Sequence, residues 1–201
     1  REDAERLMRA FLPVAFRRPV EENVQKYFVG IVHDALDRGQ PFAKAMALGY
    51  KTALCSPHFL FLVERVDETK TAQRTALDDF AIATRLSYFL WSSTPDDELL
   101  RLAAKGELAK PAVRHAQVER MLKDPKAARF TANFAGQWLD LRNINATSPD
   151  PQIYGEFDDF LFWSMPRETE LFFEEILRGD LPVTNFIESD WSFLNQRLAQ
   201  H

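Results

Sequence analysis

The stretch Leu77-Asp78-Asp79-Phe80-Ala81-Ile82-Ala83-Thr84-Arg85-Leu86-Ser87-Tyr88-Phe89-Leu90-Trp91 decides the fold class. At about 100° per residue, Ile82, Ala83, Leu86, Phe89 and Leu90 fall on one side of a helix. Phe80, Thr84, Ser87 and Trp91 fall on the other, and a strip of Asp78, Ala81, Arg85, Tyr88 and Ser92 is left to be polar. A helix that is apolar nearly all round belongs in the middle of its domain, with other helices packed on several sides. Asp78 stands where an N-cap is needed. The expectation is a central buried helix over about 77–92.

Outward from that helix, the pattern on both sides is helical. Residues 4–16 place Leu7, Met8, Phe11, Leu12 and Ala15 on one face, with Pro13 near the end. Arg17-Arg18-Pro19-Val20 breaks the chain, a second helix covers 21–38, and Gly39 ends it. A third runs over 41–55 to the stop at Ser56-Pro57. Residues 58–64 read as a short extended piece or one more helical turn. Polar residues 67–76 read as a linker, dividing an N-terminal three-helix domain (1–66) from a larger helical domain (77–201). In the second, Thr94 caps a helix with Pro95 at its first position and Asp97 completing the box. Further helices are expected over 111–123, from Asp124-Pro125 to about 141, over 156–177 with a break at Pro166, and briefly over 183–187 and 193–200. Residues 142–155 read as a loop. No alternating strand pattern and no internal repeat appears. The fold class is all-α, a multi-helix bundle-like array around the 77–92 helix.

With 201 residues the chain has ample core for one large domain or two small ones. Its 17 phenylalanines predict a core rich in aromatic contacts. A net charge of −5 argues against general affinity for nucleic acid or anionic membranes. The apolar run 59–63 is far shorter than the roughly 18 residues of a spanning helix. No signal peptide is visible, but the chain starts at Arg1, inside a helical pattern, and is read as a piece of something longer. The single cysteine, Cys55, excludes an internal disulfide and, among apolar neighbours, reads as a buried inert thiol.

Several motifs in order carry a resemblance. Phe16-Arg17-Arg18-Pro19-Val20, then Ser56-Pro57-His58-Phe59-Leu60-Phe61 with Glu64, resembles one helical domain of unknown function. The segment from Arg85 to Ser93, Pro95-Asp96-Asp97-Glu98-Leu99 and Asn133-Phe134-Ala135-Gly136-Gln137-Trp138-Leu139 resemble a second. Arg167-Glu168-Thr169-Glu170-Leu171-Phe172-Phe173-Glu174 and Phe193-Leu194-Asn195-Gln196-Arg197-Leu198-Ala199 extend the second resemblance. The resemblance implies tandem domains from large exported proteins typical of planctomycetes, which often also carry a cytochrome c domain. It implies a periplasmic or otherwise exported location, and other domains or chains of the parent protein as partners. It supplies no reaction. The chain departs from the pattern at Glu21, where a Thr cap is usual, and at Pro166.

Most chemical constellations are missing from the sequence. There is no Cys-x-x-Cys-His for haem, no zinc-type Cys or His pairing, no Glu-x-x-His pair and no Gly-rich phosphate loop. No cofactor and no metal are expected in this fragment. What remains is a set of misplaced charges: Arg85 in the narrow polar strip, Glu168 in phase with Phe172 and Ile176, and Glu64 after the apolar run. A buried arginine must find carboxylates or carbonyls. The expected cluster is Arg85 with Glu168, or else Glu64. It is either a structural ion pair or a pocket holding an anion beside an acid–base Glu168. Phe160, Leu161, Phe162 and Trp163 are consecutive and span about 300° of a helix, so they cannot all face one core. They form the candidate interface. Trp91 and Trp138 are expected as core anchors. The leading functional reading is a non-catalytic scaffold or docking module; the alternative is part of an enzyme whose pocket other domains complete.

Overall fold

The computed structural model describes residues 1–62, 77–146, 148–150 and 152–201. Glu64 and the expected linker 67–76 lie outside the described residues. Among those described the chain is all-α, with ten α-helices, three 3-10 helices and no strand. It packs as two compact units: residues 1–89 with 93–118, and residues 90–92 with 119–201.

The first unit begins with α1 (Glu2–Phe16), α2 (Glu22–Asp37) and α3 (Phe42–Leu54). Their apolar faces close on one core of Met8, Leu12, Phe28, Val32 and Met46. Each such side chain, fully buried, contributes about 1.5–3 kcal/mol. Gly49 is what lets α3 approach so closely: a Cβ there would lie 2.4 Å from Val32 Cγ2 and 3.2 Å from Met8 Sδ. On the surface Arg9 bridges the first two helices, bonding Glu5 at 2.8 Å and Glu22 at 2.7 Å. The Arg9 bond holds the Glu22 carboxyl below its ordinary range.

Residues 57–60 form one helical turn, α4 (Pro57–Leu60). Then follow α5 (Asp79–Trp91), α6 (Asp97–Ala104) and α7 (Pro111–Lys123), the first and last of which give residues to both units. Asp78 caps α5, accepting from the Ala81 N–H at 2.6 Å. The burial of α5 corrects the expectation of cover all round. Ala83, Thr84, Ser87, Leu90 and Trp91 are buried, but Phe89 is 59% exposed and Arg85 is exposed with it. The buried arc is centred on the small residues Ala83 and Ser87, which permit close packing. Arg85 and Phe89, four residues apart, share the opposite strip. The start of α6 is also displaced: Asp96, not Thr94, is the cap, accepting from the Leu99 N–H at 2.9 Å. Asp caps as well as Thr does, and this start leaves Leu99, Leu102 and Ala103 buried.

In the second unit Trp91 is fully buried, its Nε1–H donating to the Met121 carbonyl at 2.9 Å. Asp124 caps a 3-10 turn that leads into α8 (Ala128–Trp138). Part of the expected loop is itself 3-10, over Leu141–Ala146. The next helix, α9 (Asp159–Gly179), runs through Pro166 instead of breaking there. The lost bond costs about 3 kcal/mol, and the tertiary packing of a long amphipathic helix overrides it. A final short helix is α10 (Gln196–Gln200). Phe130, Phe134, Trp138, Phe173 and Phe186 form a continuous run of ring contacts across α8, α9 and the 3-10 turn at Val183–Phe186. Trp138 ends this run as an exposed edge, not as the core anchor expected, because it sits on the last residue of α8.

Candidate functional site

The first helix ends on Arg17, whose φ of 60° is left-handed. Arg18 N–H reaches back to the Pro13 carbonyl at 3.2 Å, closing the helix in the way a glycine usually does. The left-handed turn costs an ordinary residue about 1 kcal/mol. The Arg17 side chain is buried, the residue being 4% exposed. One Nη donates to the carbonyls of His58, Phe59 and Phe61 at 3.0–3.1 Å. The other makes a long bond of 3.4 Å to the Tyr88 hydroxyl. The guanidinium also lies over the rings of Phe59 and Tyr88, at 5.7 and 5.8 Å. One arginine thereby fastens the end of α1 to α4 and to α5. Its neighbour Arg18 pairs with Asp78, the α5 cap, at 3.2 Å.

Beside this arginine lies a cavity of about 140 Å³. Its charged edge is Arg17, Arg18, Glu21 and Arg85, and its apolar wall includes Phe16, Val20, Val24 and Phe61. His58, its ring tilted against that of Phe16 at 5.1 Å, and Val24 separate it from a wider groove. That groove is lined by Tyr27, Lys51, Cys55 and Pro57. Cys55 is exposed, which corrects the expectation of a buried thiol. It lies about 200° around the helix from Ala53, the buried residue two positions before it.

The three members of the expected polar cluster, Arg85, Glu168 and Glu64, are described separately. Arg85 is exposed and lines the cavity of the first unit. Glu168 belongs to the second unit, half-buried, and accepts from the Ser192 hydroxyl at 2.6 Å. Glu64 lies outside the described residues. Among the described residues the buried arginine is Arg17, which the sequence reading passed over. A signal for it existed: an arginine directly following an apolar helix, before Arg-Pro, ends up at a cap whose side chain can turn inward.

The four consecutive residues on α9 are divided. Leu161 is fully buried and Phe162 half-buried, while Phe160 is 62% and Trp163 70% exposed. The orientation is fixed by Asp158, which caps α9 through the Leu161 N–H at 2.7 Å. That backbone bond, aided by Arg197 at 2.9 Å, holds the Asp158 carboxyl below its ordinary range. Among the described residues no group of three His, Cys, Asp or Glu could hold a metal ion, and no helix is long and apolar enough to cross a membrane.

Two family models match the chain. One is PSD5, a protein of unknown function (DUF1595), over residues 3–64; the other is PSD4, a protein of unknown function (DUF1592), over residues 77–201. No curated protein and no solved structure matches it. Two domains of unknown function thus stand in tandem along the chain.

Proposed function

We propose, from the premise that the chain belongs to the PSD4 family of proteins of unknown function, that it is a non-catalytic helical scaffold or docking module. It would serve a larger exported protein associated with cytochrome c domains, any haem being held by those domains and none by this chain. The observation that carries this reading is the pair Phe160 and Trp163. Two large aromatic side chains lie in solvent on one face of a helix whose opposite face is anchored by buried Leu161. Exposed aromatic residues with a fixed orientation are the usual anchors of an interface. The occupant is a neighbouring domain of the parent protein. Sedimentation velocity of the chain mixed with separately produced neighbouring domains tests this. Co-sedimentation lost in Phe160→Ser/Trp163→Ser supports docking at α9; co-sedimentation unchanged by the pair removes it.

A second reading, part of an enzyme with a polar pocket around Arg85 and Glu168, is favoured by one observation: Arg85 does line a cavity with a charged edge. Glu168 is not in the described lining, so the acid–base role assigned to it has no support there.

A further inference from the structure

Beyond the 3-10 turn at Val183–Phe186, the chain is tied to α9 along its length. Trp191 stacks on Phe172 at 4.4 Å, and the Ser192 hydroxyl donates to Glu168 at 2.6 Å. Asn195 Nδ2 donates to the Ser164 hydroxyl at 2.6 Å. Arg197 donates from Nε to Asp158 at 2.9 Å and from Nη2 to the Glu156 carbonyl. Residues 191–197 thus meet α9 at 172, 168, 164 and its cap at 158, running antiparallel to it. The lengths match: six extended steps of about 3.3 Å cover the same roughly 20 Å as fourteen helical steps of about 1.5 Å.

Pro166 divides α9 itself. It has no N–H, so the helix bond to the Phe162 carbonyl is missing. The turns before it carry Phe160 and Trp163, and these are the turns that Asn195 and Arg197 grip. One Asp158 carboxylate oxygen accepts from the Leu161 N–H while the other accepts from Arg197. Ser164 likewise accepts from Asn195 and donates to the Phe160 carbonyl. After Pro166 the helix is fixed by buried Phe173 and Ile176. No residue of 191–201 is itself buried, and the five residues of α10 fall far below the roughly 12–15 at which an isolated helix is marginal. A segment held by polar bonds and partial burial opens before the core does.

We propose that residues 191–201 are a strap that sets the pose of the Phe160–Trp163 edge, and that releasing it switches off docking there. The switch rests on the docking reading of α9; the mechanical coupling does not.

Hydrogen exchange of the 201-residue chain, read by mass spectrometry, tests the coupling. Asn195→Ala/Arg197→Ala alters strap side chains alone, both outside the core. Residues 159–165 are expected to exchange at least about tenfold faster in this variant, with 167–179 unchanged. Sedimentation velocity with the neighbouring domains should show weaker docking although Phe160 and Trp163 are intact. Unchanged exchange over 159–165 would overturn the proposal, as would equal acceleration on both sides of Pro166. So would co-sedimentation that survives in the strap variant but is lost in Phe160→Ser/Trp163→Ser. Co-sedimentation unchanged by the serine pair would remove the docking reading and the switch with it, while the exchange contrast would still decide the strap.

Discussion

Arg17, a cation, is 4% exposed in the first unit, whereas Trp163, one of the largest apolar side chains, is 70% exposed in the second. Hydropathy alone would exchange them. What places each is backbone geometry. Arg17 follows the last turn of α1 in a left-handed conformation that carries its side chain inward, to the carbonyls of His58, Phe59 and Phe61. Trp163 is two residues, about 200°, from Leu161 on a helix. Once the Asp158 cap and Leu161 fix the helix rotation, Trp163 must face out. The apolar face of one helix end is completed by a charge, and the polar face of another carries an aromatic pair. The first arrangement reads as construction and the second as a surface kept for something else, and substitutions separate the two.

The largest effect is expected at Arg17. Arg17→Ala removes the donor shared by three part-buried carbonyls and with it the fastening between α1, α4 and α5, for a loss of about 3 kcal/mol in chemical denaturation. Arg17→Lys should recover little of it, since an ammonium cannot span the three carbonyls and stack on Phe59 and Tyr88 as a planar guanidinium does. A loss under about 1 kcal/mol for Arg17→Ala would show that the corner is not what holds these elements.

How much of this was legible in the sequence differs between the regions. The helices of the first unit follow their periodicity, because the Met8, Leu12 and Val32 faces meet no competing demand. The α5 stretch is harder. Its 15-residue pattern, read alone, put Phe89 inside and Arg85 in a buried polar cluster. The structure turns the small residues Ala83 and Ser87 inward and both larger ones out. Periodicity reports that a helix has two apolar sides; it does not report which one a close neighbour selects. Arg17 escaped notice for a related reason, since a cap residue has no place in a helical wheel. The division within 160–163 was readable as a necessity, but which residues face out required the rotation set by Asp158.

In the same first unit, Gly49 tests whether the core tolerates strain as poorly as the Arg17 corner. Gly49→Ala places a methyl 2.4 Å from Val32 Cγ2, inside contact distance, with Met8 behind it. The fully buried Val32 and Met8 have little room to yield, so a destabilisation of about 2 kcal/mol is expected. Val32→Ala combined with Gly49→Ala should recover part of it. Additive losses would mean that α3 shifts as a body instead.

The second unit gives a weaker, pH-dependent signature at its α9 cap. The Asp158 carboxyl is depressed by the Leu161 N–H first and by Arg197 second. A carboxylate with a folded pKa below its unfolded value contributes stability above the unfolded value, and that contribution is lost as pH falls through the folded pKa. The window therefore lies below the ordinary aspartate value of 3.8. Asp158→Asn should flatten that part of the acid-stability curve and leave its neutral plateau nearly in place, because asparagine also caps helices. Tm recorded from pH 5 down to about pH 2 reads it; an unchanged acid limb in the variant would assign the acid loss elsewhere.

The smallest effect on stability is expected at the most conspicuous side chains. Phe160 and Trp163 meet little beyond one ring contact, Phe162 against Trp163 at 5.1 Å. Replacing both by serine removes little buried area, so the unfolding free energy should move by no more than about 0.5 kcal/mol. Leu161→Ala, between them and fully buried, should cost about 3 kcal/mol. That contrast inside four consecutive residues sharpens the comparison with Arg17: burial, not residue size or polarity, decides what the fold depends on. A loss of 2 kcal/mol or more in the serine pair would mean that the aromatic face is part of the chain's own core, and the surface reading of α9 would fall with it.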